Sequence, residues 1–438
     1  MKKLLFGLLF AAISAGAQDS VTSKIPFEGM DLTWINGQNR QSEFPLSLTD
    51  KKSSEVICTG VVFFDGYYNY DFHKPVDNTH TISAAIGRSN EFTVNQVSIG
   101  LESGYRNMIG RVWLQYGQMA SLVQDLDGTV AHGRNTSINN LKYIREAAAG
   151  YHFNKWYGIN VELGIFMSYI GLESYVLNEN WSYQRSMACD LTPFYFSGAR
   201  VQLFPAKKIK TEVWLLNGWQ TYNSWNQGIG MGSSTYWRPT ENLQLVANFY
   251  IAGHDTRNNP GVQRYHHDHS VVARYYRNKN GKGISQAAFS INNHYGFQSG
   301  GGITASDHYM IGTSVANRVW FRRNKLALTL RGDYSANPGL YLAFSPSPVG
   351  SNDFTAAIAN IPKQKLEMLQ ATATVDIMPN DFFTFRVEYG YRSANVPYFA
   401  GKGGTTSPDG WIDTPAATWK PDLKKSESRV TAAVSFRL

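Results

Sequence analysis

Residues 383–392 read Phe383-Thr384-Phe385-Arg386-Val387-Glu388-Tyr389-Gly390-Tyr391-Arg392, and their order decides the fold. Phe383, Phe385, Val387, Tyr389 and Tyr391 fall on one phase of a two-residue period, while Thr384, Arg386, Glu388, Gly390 and Arg392 fall on the other. Successive side chains of a strand point to opposite faces, so this is a strand with one apolar and one charged face. A helical stripe would instead recur every three and four residues. The C-terminus repeats the pattern, with Val430, Ala432, Val434, Phe436 and Leu438 alternating with Arg429, Thr431, Ala433, Ser435 and Arg437. Tyr157, Ile159, Val161, Leu163, Ile165 and Met167 form another such face, and Val112, Leu114 and Tyr116 oppose Arg111, Trp113 and Gln115.

Extended along the chain, the period predicts about sixteen strands, within a range of 14–18: 56–70, 91–105, 108–118, 141–153, 156–168, 192–205, 209–218, 228–239, 241–254, 267–277, 284–298, 306–322, 325–336, 365–378, 381–393 and 427–438. Most reach the roughly 9–11 residues that a tilted strand needs to cross a bilayer. The connections alternate in length. Those at 106–107, 154–155, 206–208, 278–283, 323–324 and 379–380 are tight and mostly carry Asn, Gly or Pro. Between them lie long polar loops at 71–90, 119–140, 169–191, 255–266, 337–364 and 394–426. Short periplasmic turns at one end and long extracellular loops at the other predict an all-β fold, a transmembrane antiparallel up-and-down β-barrel of the outer-membrane kind. A propeller would repeat a blade motif, and the chain has none.

Composition agrees. Of 438 residues, 17% are charged and 14% aromatic, and the mean hydropathy is −0.31. A polytopic helical protein would show several apolar runs of roughly 20 residues, and only residues 4–17 approach one. Disorder is excluded by the aromatic content. Residues 1–17 have the three parts of a secretory signal: Lys2 and Lys3, an apolar stretch, then Ala15-Gly16-Ala17. Losing Lys2 and Lys3 with that leader lowers the formal charge from +8 to +6. The remaining basic residues are scattered, which argues against nucleic acid as a partner. Two cysteines, Cys58 and Cys189, are too few for a disulfide scaffold, and their spacing leaves open whether they pair.

In hydrocarbon an unpaired backbone group is so costly that only a closed sheet spans with strands. Closure sets the apolar phase against outer-membrane lipid and the polar phase inside. The inward, pore-lining set is Arg111, Glu162, Arg200, Glu212, Arg274, Arg318, Arg331, Asp333, Arg386, Glu388, Arg392 and Arg429, with Lys142, Glu146, Lys210 and Arg437 on the same phase. Basic side chains predominate there, which either biases the lumen toward anions or leaves Arg and Glu paired across the wall. Tyr105, Trp156, Tyr157, Trp219, Trp237, Tyr250 and Tyr309 are candidates for interfacial girdles.

Motifs for chemistry are sparse. His267 and His269 share a strand face and would need a third ligand to hold Zn²⁺. Asp125-Leu126-Asp127-Gly128 lacks the downstream acidic ligand of a calcium loop. No Gly-x-Ser-x-Gly is present, and the glycines at 300–302 and 401–404 lack nucleotide-loop spacing. No enzyme, metal or cofactor is indicated. An outer-membrane hydrolase building its Ser and His from separate strands stays a distant alternative.

The chain resembles the OmpL-like β-barrel porin family of Bacteroidota. The resemblance is carried by Asp31-Leu32-Thr33-Trp34-Ile35-Asn36-Gly37-Gln38-Asn39-Arg40, Ser168-Tyr169-Ile170-Gly171-Leu172-Glu173-Ser174-Tyr175, Thr192-Pro193-Phe194-Tyr195-Phe196, Asn217-Gly218-Trp219-Gln220 and Thr406-Ser407-Pro408-Asp409-Gly410-Trp411. It implies an outer-membrane barrel of a Gram-negative bacterium with an N-terminal extension and a pore role, and it supplies no catalytic residues. The chain ends in Leu438, where many barrels end in Phe. The expected organisation is a signal peptide at 1–17, a periplasmic or lumen-plugging segment at 18–55 and the barrel at 56–438. The expected function is passive diffusion of small hydrophilic solutes, weakly favouring anions, by a homo-oligomer (a trimer by analogy). The alternative is a closed barrel serving as a surface receptor or adhesin through its loops. Trp219, Trp225 and Trp411 would stack on sugars or pack a loop folded into the lumen.

Overall fold

Sixteen alternating segments pair edge to edge until the sheet has no edge left. The computed structural model describes residues 24–37, 43–80, 83, 85–125, 141–190, 192–223, 228–254, 261–278, 280–342, 365–406 and 419–438. The leader, Trp225, Trp411 and all but the first residue of the 125–128 motif lie outside them. A short strand β1 (Ser47–Thr49) precedes the barrel. The first eight wall strands are β2 (Val56–Asp71), β3 (Phe92–Tyr105), β4 (Met108–Tyr116), β5 (Ile144–Phe153), β6 (Ile159–Met167), β7 (Tyr195–Ala206), β8 (Ile209–Leu216) and β9 (Gly230–Thr240). Then come β10 (Leu243–His254), β11 (Gln263–Arg277), β12 (Ile284–Ser299), β13 (Tyr309–Phe321), β14 (Leu326–Asn337), β15 (Leu366–Asn380) and β16 (Phe383–Ala394). A loop hairpin, β17 (Phe399–Ala400) with β18 (Leu423–Lys424), leads to the last wall strand, β19 (Ser426–Arg437).

Each wall strand pairs antiparallel with the next, and β19 pairs back onto β2 from Arg429↔Asp71 to Arg437↔Phe63. Leu438 and Val62 exchange backbone hydrogen bonds of 2.9 and 2.8 Å at the end of that seam. β1 continues the sheet just beyond it, with Ser47 opposite Thr59. All sixteen expected strands are present. The main differences are local. β11 begins at Gln263 because Arg264 and His266 extend its inward phase into the expected loop. β5 begins at Ile144, so Lys142 lies before the strand, and a bulge at Arg145, opposite Trp113 and Leu114, turns Arg145 inward over the Trp113 ring.

Turn chemistry explains the short ends. Arg106 and Asn107 both adopt left-handed φ, 48° and 68°, as a two-residue hairpin whose twist matches its strands requires. Several long loops are structured instead of merely polar. Gln118–Asp125 is a helix whose Met119, Ala120 and Val123 pack on Phe63, Tyr67 and Ile86 or their surroundings inside the barrel. Residues 168–190 fold into the lumen, burying Tyr169, Ile170, Tyr175, Leu177, Tyr183 and Met187.

Burial follows the predicted phase. Val62, Ile99, Leu101, Val112, Leu163, Leu330, Val387 and Tyr389 are exposed on the outside, while Ser98, Glu162, Thr329, Arg331, Arg386 and Glu388 beside them are buried. Trp156 and Trp237 lie exposed on the outer surface, as a girdle requires. Tyr250 and Trp219 do not: Tyr250 is fully buried and the two rings pack 4.8 Å apart inside the barrel, since position 250 has the inward phase of β10. Cys58 and Cys189 are both free, one partly exposed on β2 and the other buried in the lumen.

Leu163 lies mid-strand in β6 and is 69% exposed on the lipid side. Leu163→Arg is expected to destabilise the barrel by about 2–4 kcal/mol in denaturant titrations in lipid vesicles, and Leu163→Met to leave it unchanged. Equal stability of the Arg variant would contradict the outward assignment.

Candidate functional site: the barrel interior

The twelve charged residues read from the alternation all sit on the inner wall, ten of them buried and Arg111 and Arg200 partly so. The structure divides them into four groups. On β4–β8, Arg111 pairs with Glu146 and, at 2.8 Å, with Glu162; Arg200 donates to the same Glu162 at 2.5 Å. Glu212 accepts from Lys210 at 3.1 Å, completing a ladder of alternating charge toward the short-turn end. Arg274, on β11, reaches out of the wall to Asp31 at 2.7 Å. Arg392 pairs with Glu427 at 2.6 Å and donates to His80 at 2.9 Å, near the long loops.

The remaining residues grip the inserted segment. Asp376 accepts from Arg318 at 2.6 Å and from Arg386 at 2.5 Å. Arg386 also donates to the Leu177 and Asn180 carbonyls at 3.0 and 2.8 Å, and Arg318 to that of Trp181 at 3.1 Å. Glu388 accepts the backbone N–H groups of Tyr183 and Gln184 at 2.6 and 3.0 Å, with Arg429 beside it at 2.8 Å. Arg331 bonds Asp333 at 3.1 Å, Glu173 at 2.8 Å and the Gln184 carbonyl at 2.7 Å. These side chains therefore satisfy the backbone of an irregular loop that water cannot reach, as buried polar groups require.

Residues 24–37 cross the short-turn mouth. Trp34 is wholly buried, packed with Val272, Ala288, Trp320, Ala327 and Met378, and its indole donates to the Asp31 and Glu241 carbonyls, each at 3.0 Å. The Asp31 carboxylate bridges Arg274 and Arg277, the latter at 2.9 Å. Burial pushes this carboxyl up, but the hydrogen bond from Arg274 and those from Thr33 outweigh it, so its pKa lies below the ordinary 3.8. Gly37 ties the mouth to the inserted segment, donating to the Glu179 carbonyl at 2.6 Å and accepting from Arg318 at 3.2 Å.

Among the described residues, two polar cavities stand out. One of ≈ 290 Å³ lies at the short-turn end of β2–β7, lined by Thr59, Glu102, Arg111, Asn160, Glu162 and Gln202. The other, ≈ 280 Å³, lies between the inserted segment and β9–β14, against Glu173, Trp181, Arg238, Gln244, Asn292 and Arg331.

Residues 58–436 match the family described as "Putative beta-barrel porin-2, OmpL-like". The chain belongs to this family. It is an outer-membrane porin of a Gram-negative bacterium. No curated protein matches it in sequence. Its fold is similar to that of many solved structures, three of which illustrate the likeness. The anion-selective porin from Comamonas acidovorans is 8% identical, covering 87% of this chain and 99% of that one with a TM-score of 0.52. OprB of Pseudomonas putida, in its high-pH structure, is 9% identical over 87% and 94%, with a TM-score of 0.51. Outer-membrane expressed OmpT of Vibrio cholerae is 9% identical over 89% and 100%, with a TM-score of 0.50.

The porin's histidines depart from expectation. His267 and His269 lie on the membrane side, their rings joined Nδ1 to Nε2 at 3.0 Å, with no third ligand among the described residues. The opposite phase instead brings His266, Asp268 and His294 together inside, with candidate ligand atoms within 4.8 Å. Those atoms are already engaged: His266 with His294 at 3.0 Å, and Asp268 with the Gly171 N–H at 3.0 Å and Asn248 at 2.9 Å. Asp71, His80 and Glu427 also converge, but the Arg392 cation occupies that space. Asp376, Glu173 and Asp31 were missing from the predicted set. Asp376 carries the inward phase of Thr372 and Thr374 and was legible; Glu173 and Asp31 lie in segments without a period.

Asp376→Ala leaves two buried guanidinium groups without their shared carboxylate and is expected to cost about 3–5 kcal/mol of stability, with Asp376→Asn costing less. Denaturant midpoints in vesicles measure this, and an unchanged midpoint for the Ala variant would refute the pairing.

Proposed function

We propose that this porin passes small hydrophilic solutes by passive diffusion, along a route narrowed by residues 168–190 and partly covered at the periplasmic mouth by residues 24–37. The observation that carries this reading is the polar cavity on β2–β7, which lies beside the covered part of the mouth and is lined by Glu102, Arg111 and Glu162. In this reading residues 18–55 include the mouth-covering segment and the barrel begins at 56. The twelve wall charges act as pore lining or as anchors of the constriction. Selectivity toward anions is weak in this reading, because Arg111, Arg200, Arg318, Arg331, Arg386 and Arg429 each pair with a carboxylate. The chain does no catalysis and works as a homo-oligomer, a trimer by analogy with porins at large. The filled lumen favours a second reading, a closed barrel whose loops serve as receptor or adhesin.

Planar-bilayer recordings separate the two. Folded protein, checked by heat-modifiable gel mobility, is expected to conduct with a small unit conductance and a slightly anion-selective reversal potential. Silent membranes would sink the diffusion reading and leave the receptor.

Trp34→Ala and Asp31→Ala are each expected to raise unit conductance by loosening the mouth segment. Asp31 has a lowered pKa, so its clasp is intact above 3.8 and is lost as pH falls through its lower folded value. Conductance is therefore expected to step up on acidification below 3.8, and Asp31→Asn to abolish the step. A step that persists in Asp31→Asn would assign it to another group.

A further inference from the structure

The outward face is apolar strand after strand, except on β11–β13. There His267, His269, Asn293, Thr313 and Asn317 take the membrane-facing phase, close to the middle of their strands. His269, Asn293 and Thr313 are register neighbours on three successive strands. His269, Asn293 and Asn317 are exposed. Away from strand ends, no other imidazole or amide has this phase among the described wall residues; Thr211 and Thr235, the nearest comparable polar pair, satisfy each other at 2.8 Å.

We propose that copies of this chain meet on this face, burying the five side chains against one another between protomers. Some of their hydrogen-bonding capacity is used within the chain. The two imidazoles share one contact, Thr313 donates to the Asn293 side-chain Oδ1 at 3.0 Å, and Asn317 donates to the Tyr275 hydroxyl at 3.0 Å. The outer nitrogens, His267 Nε2 and His269 Nδ1, and the Asn293 amide NH₂ have no partner among the described residues. Hydrocarbon supplies neither donors nor acceptors at that depth, and an unmet polar group there is costly. The occupant must therefore lie in the membrane plane and carry donors and acceptors at mid-depth. This face carries both, in imidazole and amide, so a second copy can supply the missing donors and acceptors where protomers converge on a symmetry axis. The flanks suit close approach: Gly332, Ala371 and Ala373 leave little bulk outward on β14 and β15, while Phe249 lies beside both histidines, tilted to His267 and edge-on to His269, with ring centroids 5.9 and 5.7 Å away.

The inference rests on the homo-oligomer part of the reading above and not on conduction. Its test is disulfide cross-linking in outer membranes, using Cys58→Ser to remove the one thiol that is not buried. Val315→Cys, exposed between Thr313 and Asn317, is expected to give a cross-linked dimer, and Leu163→Cys on the far wall to give none. His269→Leu with Asn293→Leu is expected to keep the heat-modifiable barrel while the oligomeric fraction falls at least tenfold in native mass spectra of lipid particles. A cross-link at Leu163→Cys but not at Val315→Cys overturns the face. So does an undiminished oligomer in the double variant. A monomeric wild-type protein overturns both the face and the homo-oligomer reading, whatever the bilayer recordings show.

Discussion

One requirement governs this molecule: inside hydrocarbon, every backbone N–H and C=O must find a partner within the protein. The seam between β19 and β2 answers it, with Leu438 exchanging hydrogen bonds with Val62 to close the last stretch. Once the sheet is closed, the period-two geometry of a strand sets each side chain's direction wherever no bulge interrupts it. Each residue faces either lipid or the interior. Arg386 and Glu388 point inward because Phe385, Val387 and Tyr389 occupy the other side.

That solution creates a second problem. A wall of sixteen strands encloses a wide space, and its inward phase carries charges that an empty, water-filled lumen would hydrate. Here much of the space is filled, so the charges must find partners in protein. The alternating ladder Arg111–Glu162–Arg200 is one answer. The other is the inserted segment, whose irregular backbone offers unpaired carbonyls to Arg318, Arg331 and Arg386 and unpaired N–H groups to Glu388. Wall and loop need each other: without the wall residues the loop backbone would be orphaned, and without the loop Arg318 and Arg386 would share a single carboxylate.

The same geometry sets what was legible in the sequence. Strands were, because a face of five or six residues repeats a two-residue period far beyond chance, as 383–392 does. The inward set followed from the same phase. Tyr250 was misread because an aromatic near a strand end looks alike whether it meets lipid or a folded-in loop; only its parity with Val246 and Asn248 separates the cases. The histidines show parity more sharply, since His266 and His267 differ by one position and lie on opposite sides of the wall. Residues 24–37 and 168–190 have no period to read. Their positions are fixed by individual side chains, Trp34 in its pocket and Glu173 on Arg331, which pattern alone does not reveal.

This interdependence bears on how the passage works. A loop held by one or two contacts swings as a lid; residues 168–190 are held by at least four charged wall residues on β13–β16. Moving them as a body would strand several buried ions at once, and removing one partner of a buried pair is already strongly destabilising. The segment therefore acts as a fixed constriction. The mouth segment is different, since Asp31 is only partly buried and is held by two arginines at the rim. If the channel has a movable part, the physics places it at the periplasmic end: Trp34 leaving its pocket exposes apolar surface, whereas withdrawal of the inserted loop exposes unpaired charge and backbone together.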